Sequence, residues 1–329
     1  MMEDRIPLSP PTILPVPEAR SRPLWSVMIP SFNCSNYLVE AIESVLRQDP
    51  GPEKMQIEVV DDCSTDADVK ELVQQLGHGR VQLFSQDHNR GSLRNFETCL
   101  NRSRGHWVHL LHADDKIRPG FYQEIESLFE RFPKAGAAFT NFSEIDNLGN
   151  SWDIKNPVSE VDGMIPNWLY TIGGAQMIQP PAMVVKREVY EKLGSFYAVH
   201  YGEDWEMWVR IAASFPVVHS KKYLAIYRIH PNNITNHSFL SGQSISDIQQ
   251  VITLIGQYFP ENKKRQMRER ATKHFSKYFA RYSDKIYHLN KRPDLAVTHA
   301  KRAFAMSPNS TTLFFLLKMH LKKLLGYKQ

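Results

Sequence analysis

Gly105-His-Trp-Val-His-Leu-Leu-His-Ala-Asp-Asp-Lys-Ile-Arg-Pro119 is the stretch that decides how this chain folds. Trp107 to Leu111 is an apolar run with one polar interruption, the length of a buried strand. It ends on two adjacent carboxylates, Asp114 and Asp115, and Pro119 then opens a helical spacing of Phe121, Ile125, Leu128 and Phe129. Acidic side chains at the carboxyl end of a buried strand, just ahead of a helix, stand where open α/β sheets bind their ligands. Paired carboxylates suit a hard divalent cation that also grips substrate phosphates. An isolated Asp-Asp is more often a solvated turn capping a helix. Here its neighbours along the chain decide the matter.

Toward the amino terminus, Trp25 to Ile29 predicts a first strand ending at Pro30-Ser31-Phe32-Asn33. Ser35 is then placed to cap a helix with Leu38, Ile42, Val45 and Leu46 on one face. Gln56 to Val60 predicts a second strand that runs into Asp61-Asp62-Cys63-Ser64-Thr65-Asp66, and Arg80 to Ser85 a third. After Asn89-Arg90-Gly91, Ser92 is placed to cap a helix that turns Leu93, Phe96 and Leu100 inward. This alternation is that of a parallel α/β sheet. Toward the carboxyl terminus, Ala135–Thr140, Met183–Lys186, Pro216–His219 and Tyr223–Arg228 predict more strands. Glu203-Asp204 opens a helix with Trp205, Trp208 and Ala212 on one face, and residues 146–181 read as a long, functional loop region.

Four polar clusters, at 30–33, 61–66, 112–115 and 203–204, follow apolar strands or open a helix. They predict that Asp62, Asp114, Asp115, Glu203 and Asp204 face one crevice. So many carboxylates would raise each other's pKa unless a cation or a donor-rich ligand lay among them. That chemistry points to a metal-dependent phosphate-ester substrate, with one carboxylate left as a base.

Five segments together resemble the ordered motifs of family 2 glycosyltransferases: Val27–Asn33, Glu58–Asp66, Asn89–Asn95, Leu110–Asp115 and Gly202–Trp208. The resemblance covers residues 25–235. It implies a GT-A fold, a nucleotide-diphosphate sugar donor with a UDP-sugar as first expectation, Mg²⁺ or Mn²⁺, and direct displacement with inversion. Carried over by motif, it implies that Pro30, Ser31 and Asn33 border the nucleoside and that Asp62 accepts a hydrogen bond from the base. Arg94 would lie near the base or ribose, or else be a surface helix arginine. Asp115 would hold the metal, with Asp114 on the ribose or beside the metal. His112 stands where the family's motif often begins with Asp, and it is read as a packing or hydrogen-bonding residue. Asp204 would be the base, with Glu203 the alternative. Arg228 or His230 could reach the diphosphate. Trp208 is assigned to the core, and Trp205 to the core or a sugar face.

Composition sets the frame. The chain has 329 residues, 42% of them hydrophobic, room for one large domain or two modest ones. No run approaches the ~18 to 20 apolar residues of a membrane-spanning helix. The expected divisions are a flexible Pro-rich tail (1–24), an α/β catalytic domain (25–238) and a basic α-helical region (239–329). Three cysteines without metal-ligand spacing are expected to be reduced thiols, in a cytoplasmic protein.

From residue 261 onward there are 17 Lys plus Arg against 4 Asp plus Glu, a balance of +13 where the whole chain is +5. The remainder is therefore at −8, so the two parts are expected to meet different partners. Residues 294–308 resemble the second helix of a tetratricopeptide-like hairpin. The last helical pattern, 313–325, is basic and amphipathic, suited to an anionic membrane surface on its inner face or, alternatively, to docking on the core. Phe275, Tyr278, Phe279 and Tyr282 have helix-core spacing, which argues against nucleic-acid binding. The acceptor is expected to be a glycan or a lipid-linked hydroxyl in surface polysaccharide synthesis. The alternatives are a nucleotidyltransferase, which lacks its Gly-rich loop here, and a catalytically silent scaffold that binds a partner through its helices.

Overall fold

The computed structural model describes residues 5–17, 21–152 and 157–326. The chain forms two compact units. The first runs to Trp168 and adds Met177–Ala198 and Arg210–His230; the second comprises Leu169–Gln176, Val199–Val209 and the chain from Pro231. The second unit thus takes in two internal segments of the expected catalytic region and its last eight residues, 231–238.

The first unit is built on a ten-stranded sheet among the described residues. Its strands are β1 (Trp25–Ser31), β2 (Met55–Asp61), β3 (Gln82–Ser85), β4 (Trp107–Leu110), β5 (Lys116–Ile117), β6 (Ala137–Ile145), β7 (Ser151–Trp152), β8 (Gly163–Met164), β9 (Met183–Lys186) and β10 (Val217–Arg228). They lie in the order β3-β2-β1-β4-β9-β6-β10-β5, with β7 on β6 and β8 on β10. The first four are mutually parallel, and β9 is antiparallel to both neighbours. All seven residues of β1 and of β2 are buried, as expected of parallel strands covered on both faces. The chain passes from β1 outward to β2 and β3, then returns to lay β4 on the other side of β1. That reversal creates a switch point beside the end of β1.

Where the sequence predicts two strands at 216–228, the structure has one. The register of β10 against β6 shifts at Ser220–Tyr223 and again before Ala225, and this irregularity breaks the alternation that sequence patterning relies on.

The helices in chain order begin with α1 (Ser35–Leu46), α2 (Val69–Gly77), α3 (Ser92–Arg102) and α4 (Phe121–Arg131), then α5 (Trp168–Ile172), α6 (Arg187–Leu193) and α7 (Glu203–Ser214). Helix α2 is absent from the sequence expectation, although Asp68 caps it by accepting from Glu71 N at 2.9 Å. Two other expected caps are corrected. Ser35 and Ser92 are each the first residue inside a helix, and neither helix has a side-chain cap of its own. Long-range carboxylates replace them: Asp66 accepts from Ser35 N at 2.9 Å, and Asp62 from Gly91 N at 2.9 Å. Both helix starts are therefore tied to the loop after β2.

The Pro-rich amino-terminal stretch, expected to be a flexible tail, is docked on the first unit. Ile13 is 1% exposed. Leu14 N donates to Asn101 Oδ1 and Arg187 to Leu14 O, while Pro11 O and Pro7 O accept from Ser195 N and Ala198 N. Prolines lack N–H groups but keep their carbonyls, so such a stretch can be anchored through acceptors alone.

The second unit continues with α8 (Ile234–Ser241), α9 (Gln243–Ile255), α10 (Glu261–His288), α11 (Pro293–Met306) and α12 (Ser310–Leu324). The predicted stripe Ile245, Ile248, Val251, Ile252 and Ile255 is buried, as are Phe275 and Phe279; of the other two aromatics expected in the helix core, Tyr282 is half-buried and Tyr278 is exposed. Ala296, Ala300 and Ala303 of α11 are fully buried, and Ala296, Ala300, Ile286, Tyr287 and Met319 share one apolar cluster. Small side chains let α11 pack closely on its neighbours. Among the described residues no helix is long and apolar enough to cross a membrane.

Candidate active site

The carboxyl edge of the parallel strands gathers the site of the first unit. Register pairs Ser31 of β1 with Asp61 of β2, and Met28 of β1 with Leu110 of β4. The backbone ladder continues past the strand ends: Asp62 N donates to Ser31 O at 2.8 Å and Ala113 N to Pro30 O at 3.3 Å. The loops that carry Asp62 and Asp114–Asp115 are thereby fixed on either side of Ser31.

The β1 and β2 loops are also stitched to each other. Asn33 N donates to Ser64 Oγ at 2.9 Å, Thr65 N donates to Asn33 Oδ1 at 2.8 Å, and Ser64 N donates to Asp61 Oδ2. Asn33 (φ +47°) and Cys63 (φ +64°) both hold left-handed backbone that non-glycine residues rarely adopt. Such strain persists where the surroundings over-determine it, most often at functional sites.

Asp62 is buried. Its carboxylate accepts from Asn89 Nδ2 (2.9 Å), Arg90 N (2.7 Å) and Gly91 N (2.9 Å). Burial raises its pKa, against the two backbone N–H groups that favour its charge. A carboxylate has about four acceptor positions, so three donors leave room for one more. Arg94 pairs with Glu97 at 2.8 Å. Ser31 Oγ is buried without a partner.

The Asp114–Asp115 turn is held by the end of β10. Arg228 N donates to Asp115 Oδ1 at 2.9 Å, and Arg228 Nε donates to Asp114 O at 3.0 Å. The rest of the guanidinium donates to Glu40 Oε1 and Asp146 O, and it lies 4.6 Å from the Tyr37 ring. The sequence allowed Arg228 to reach a diphosphate. In the structure it is buried and clamps the turn through Asp115 Oδ1 and Asp114 O, and its partner Glu40, an ordinary helix residue by spacing, gives no sequence signal.

His230 Nε2 sits 3.0 Å from Asp114 Oδ2. Burial opposes the Asp114 charge, but the His230 hydrogen bond and the fields of His112 and His230 outweigh it and hold that carboxyl below its ordinary value. Asp115 goes the other way, pushed well above its ordinary value by burial and then by the Asp114 charge. Its Oδ2 is buried and without a partner.

One ligand atom each from His112, Asp114 and Asp115 can lie within 4.8 Å of one another. The His112 ring is stacked on Phe96, with centroids 5.0 Å apart and planes 13° apart. It therefore packs as the sequence predicts, and it also stands with the two carboxylates. One oxygen from each carboxylate, the Asp115 one being the buried and unpartnered Oδ2, and an imidazole nitrogen fit a divalent cation.

Glu203 and Asp204 open α7 in the second unit. Asp204 Oδ1 accepts from Trp205 N at 2.6 Å and Oδ2 from Gln176 Nε2 at 2.5 Å. Burial lifts the Asp204 carboxyl from 3.8 to about 6, against those two hydrogen bonds. Burial first, then the charges of Asp204 and Asp247, push Glu203 well above its ordinary value. A carboxyl near 6 is tuned to take a proton at neutral pH.

Trp205 is buried, donates from its indole to Ile172 O at 2.6 Å and packs on Phe275, which leaves no face for a sugar. Trp208 is buried as predicted. Glu206, which the sequence did not single out, is buried and answered by the Tyr258 hydroxyl at 2.8 Å.

A mixed, mostly parallel sheet with an Asp-Asp turn after its fourth strand and a carboxylate after its second has the GT-A architecture. The chain belongs to the family described as Glycosyl transferase family 2, which matches residues 26–194. Among curated relatives it is 33% identical over 141 residues to the succinoglycan biosynthesis protein ExoO of Rhizobium meliloti; the match covers 43% of this chain and 36% of ExoO. The chain thus spans little more than a third of that relative.

Among solved structures, residues 1–349 of TarS from S. aureus, in complex with UDP-GlcNAc, align with a TM-score of 0.63 at 15% identity, covering 93% of each chain. The mannosyltransferase PcManGT from Pyrobaculum calidifontis, in complex with GDP-Man and Mn²⁺, aligns with a TM-score of 0.57 at 17% identity, covering 98% of this chain and 85% of that one.

Proposed function

We propose that this protein is an inverting glycosyltransferase that moves a sugar from a nucleotide-diphosphate sugar to a hydroxyl of a glycan or lipid-linked acceptor in surface polysaccharide synthesis. The observation that carries it is the buried, unpartnered Asp115 Oδ2 beside Asp114 and His112 at the strand ends. In this reading Asp115, Asp114 and His112 hold Mg²⁺ or Mn²⁺. When bound, that cation neutralises charge on the departing diphosphate. His112, the departure from the family motif that kept a silent scaffold in view, is then one more donor to the metal.

Pro30, Ser31 and Asn33 border the nucleoside, and Asp62 uses its remaining acceptor position for the base. Asp204 takes the proton from the acceptor hydroxyl as its oxygen forms the bond to the anomeric carbon and the bond to the diphosphate breaks. Glu203, held neutral by burial, keeps the pair from carrying two charges. A UDP-sugar is the favoured donor, in line with the ligand of the TarS complex.

Helix α12 is proposed to hold the enzyme on an anionic membrane surface, on the cytoplasmic side. Leu313, Phe314, Leu317, Leu321, Leu324 and Leu325 form one exposed stripe, with Leu317 61% and Leu324 83% exposed. The stripe lies in the part of the chain that carries the basic excess, and of the lysines beside it Lys318 and Lys322 share Asp284 as an ion-pair partner, two cations to one carboxylate.

A thermal-shift panel of UDP, GDP and their sugars, each with and without Mn²⁺, tests the donor assignment. A ligand that binds only the folded protein raises its melting temperature through RT ln(1 + [L]/Kd). Stabilisation by one nucleotide sugar that depends on the metal is expected. No response to any member of the panel would reject the reading.

A further inference from the structure

The amino-terminal arm runs along α3. Leu14 is tied to Asn101 near the carboxyl end of that helix, and Arg5 donates to Asn89 Oδ1 just before its amino end. The helix has 11 residues, about 16 Å at 1.5 Å per residue, and the ten residues 5–14 span it. Pro7 O and Pro11 O, anchored to Ala198 N and Ser195 N, fix the path between. At its end the Arg5 side chain lies over Gly91, where a Cβ would come 2.9 Å from Arg5 Nε.

Asn89 joins that guanidinium to the site. Its Oδ1 accepts from Arg5, while its Nδ2 donates to Asp62 Oδ2 at 2.9 Å and Asp62 O at 3.1 Å. An amide held by a donor on its oxygen side cannot flip, so its NH₂ is committed to Asp62. The arm is exposed at Arg5 and carries a positive charge to the acidic edge of the sheet.

We propose that the amino-terminal arm is a wall of the nucleoside subsite, with Arg5 a positioning residue that acts through Asn89 to aim the Asp62 carboxylate at the nucleobase. This rests on the reading of Asp62 as the base-binding group. Arg5 orients Asn89, Asn89 occupies one side of the Asp62 carboxylate, and the acceptor position left open is the one offered to a base N–H. The free edge of the guanidinium adds a planar cation beside the base.

The test is calorimetric, on the full chain with Mn²⁺, using UDP, GDP and inorganic pyrophosphate as probes. Pyrophosphate has no base and reports on the metal and phosphate half alone. Arg5→Ala is expected to weaken the nucleotide that the parent binds by about tenfold, the loss of one hydrogen bond to a charged network, and to leave pyrophosphate unchanged. Arg5→Lys, which keeps one donor, is expected to recover part of that loss. Asp62→Ala serves as the reference and should weaken the same nucleotide.

If Asp62→Ala weakens the nucleotide and Arg5→Ala does not, the role of the arm is refuted. If Arg5→Ala weakens nucleotide and pyrophosphate alike, Arg5 supports the fold or the overall field, and the proposal is again refuted. If the parent binds neither nucleotide, the donor reading itself falls and takes this inference with it.

Discussion

Replacing Asp204 with asparagine should make the protein more stable and nearly inactive, and the structure sets the size of both effects. The Asp204 side chain is half-buried, and desolvation raises its carboxyl from 3.8 to about 6. At about 1.4 kcal/mol per pKa unit, keeping it ionised in the fold costs roughly 3 kcal/mol. The sign follows from the direction of the shift. The folded state holds this proton more tightly than the unfolded chain does, so the cost is absent below 3.8, grows as pH rises and is complete above about 6.

Asparagine removes that cost at pH 8. Its Oδ1 can still accept from Trp205 N, but its Nδ2 would face Gln176 Nε2 where Asp204 Oδ2 now accepts. Losing that bond costs about 1 kcal/mol. The net expectation is a gain of roughly 2 kcal/mol at pH 8, a few degrees in melting temperature, that vanishes near pH 4.

Transfer should fall by roughly 10² to 10⁴, the contribution of a positioned general base, while nucleotide-sugar binding stays as it was. Melting curves at the two pH values, calorimetry with the donor, and initial rates with acceptor check all three. The neutral asparagine side chain also relieves one of the charges that suppress Glu203 ionisation, so any residual rate should disappear when Glu203→Gln is added. Transfer within tenfold of the parent in Asp204→Asn, together with a collapse in Glu203→Gln alone, would hand the base to Glu203. A variant less stable than the parent at pH 8 would refute the account of the buried charge.

The same burial predicts that kcat/KM declines tenfold per unit below about pH 6, where Asp204 takes up its proton; a limb near pH 4 would mean an exposed carboxylate does the work. Asp115→Ala should abolish Mn²⁺-dependent thermal stabilisation by the donor while the apo protein stays folded, since the loss of the Arg228 N acceptor, about 1–3 kcal/mol, is offset by removal of a carboxyl whose charge burial and Asp114 disfavour. Undiminished metal-dependent stabilisation in that variant removes Asp115 from the metal site. On α12, Leu317→Glu with Leu321→Glu should release the protein from phosphatidylglycerol vesicles, because burying two leucines in the bilayer surface contributes roughly 3 kcal/mol or more to binding. The melting curve should stay unchanged, since both side chains are exposed. Persistent vesicle binding, or unfolding of the double variant, would place that face elsewhere.

Sequence alone determined the parallel strands β1 to β4 and their acidic edge, because both are written in local patterns. Buried parallel strands are unbroken apolar runs, and the residue after each run falls at the same edge whatever the rest of the chain does. Asp62, Asp114 and Asp115 were legible for that reason, as were the buried stripes of Trp208 and of Ile245 to Ile255. Contacts between distant positions were not legible. The cap of α1 comes from Asp66 and the start of α3 from Asp62, so the nearby Ser35 and Ser92 misled. Arg228 became a clamp only because β10 ends beside the Asp-Asp turn and Glu40 lies within reach of its guanidinium.

His112 was judged by its type and its motif, and only the fold shows that its ring, stacked on Phe96, stands with both carboxylates. The Pro-rich arm looked like a tail because it has neither periodicity nor N–H groups at its prolines, and carbonyl acceptors carry no mark in sequence. The pKa values of Asp204 and Glu203 lie furthest from the sequence. Two adjacent carboxylates can be named from the chain, but the burial that lifts one to about 6 and the other well above its ordinary value exists only once the helices have closed around them.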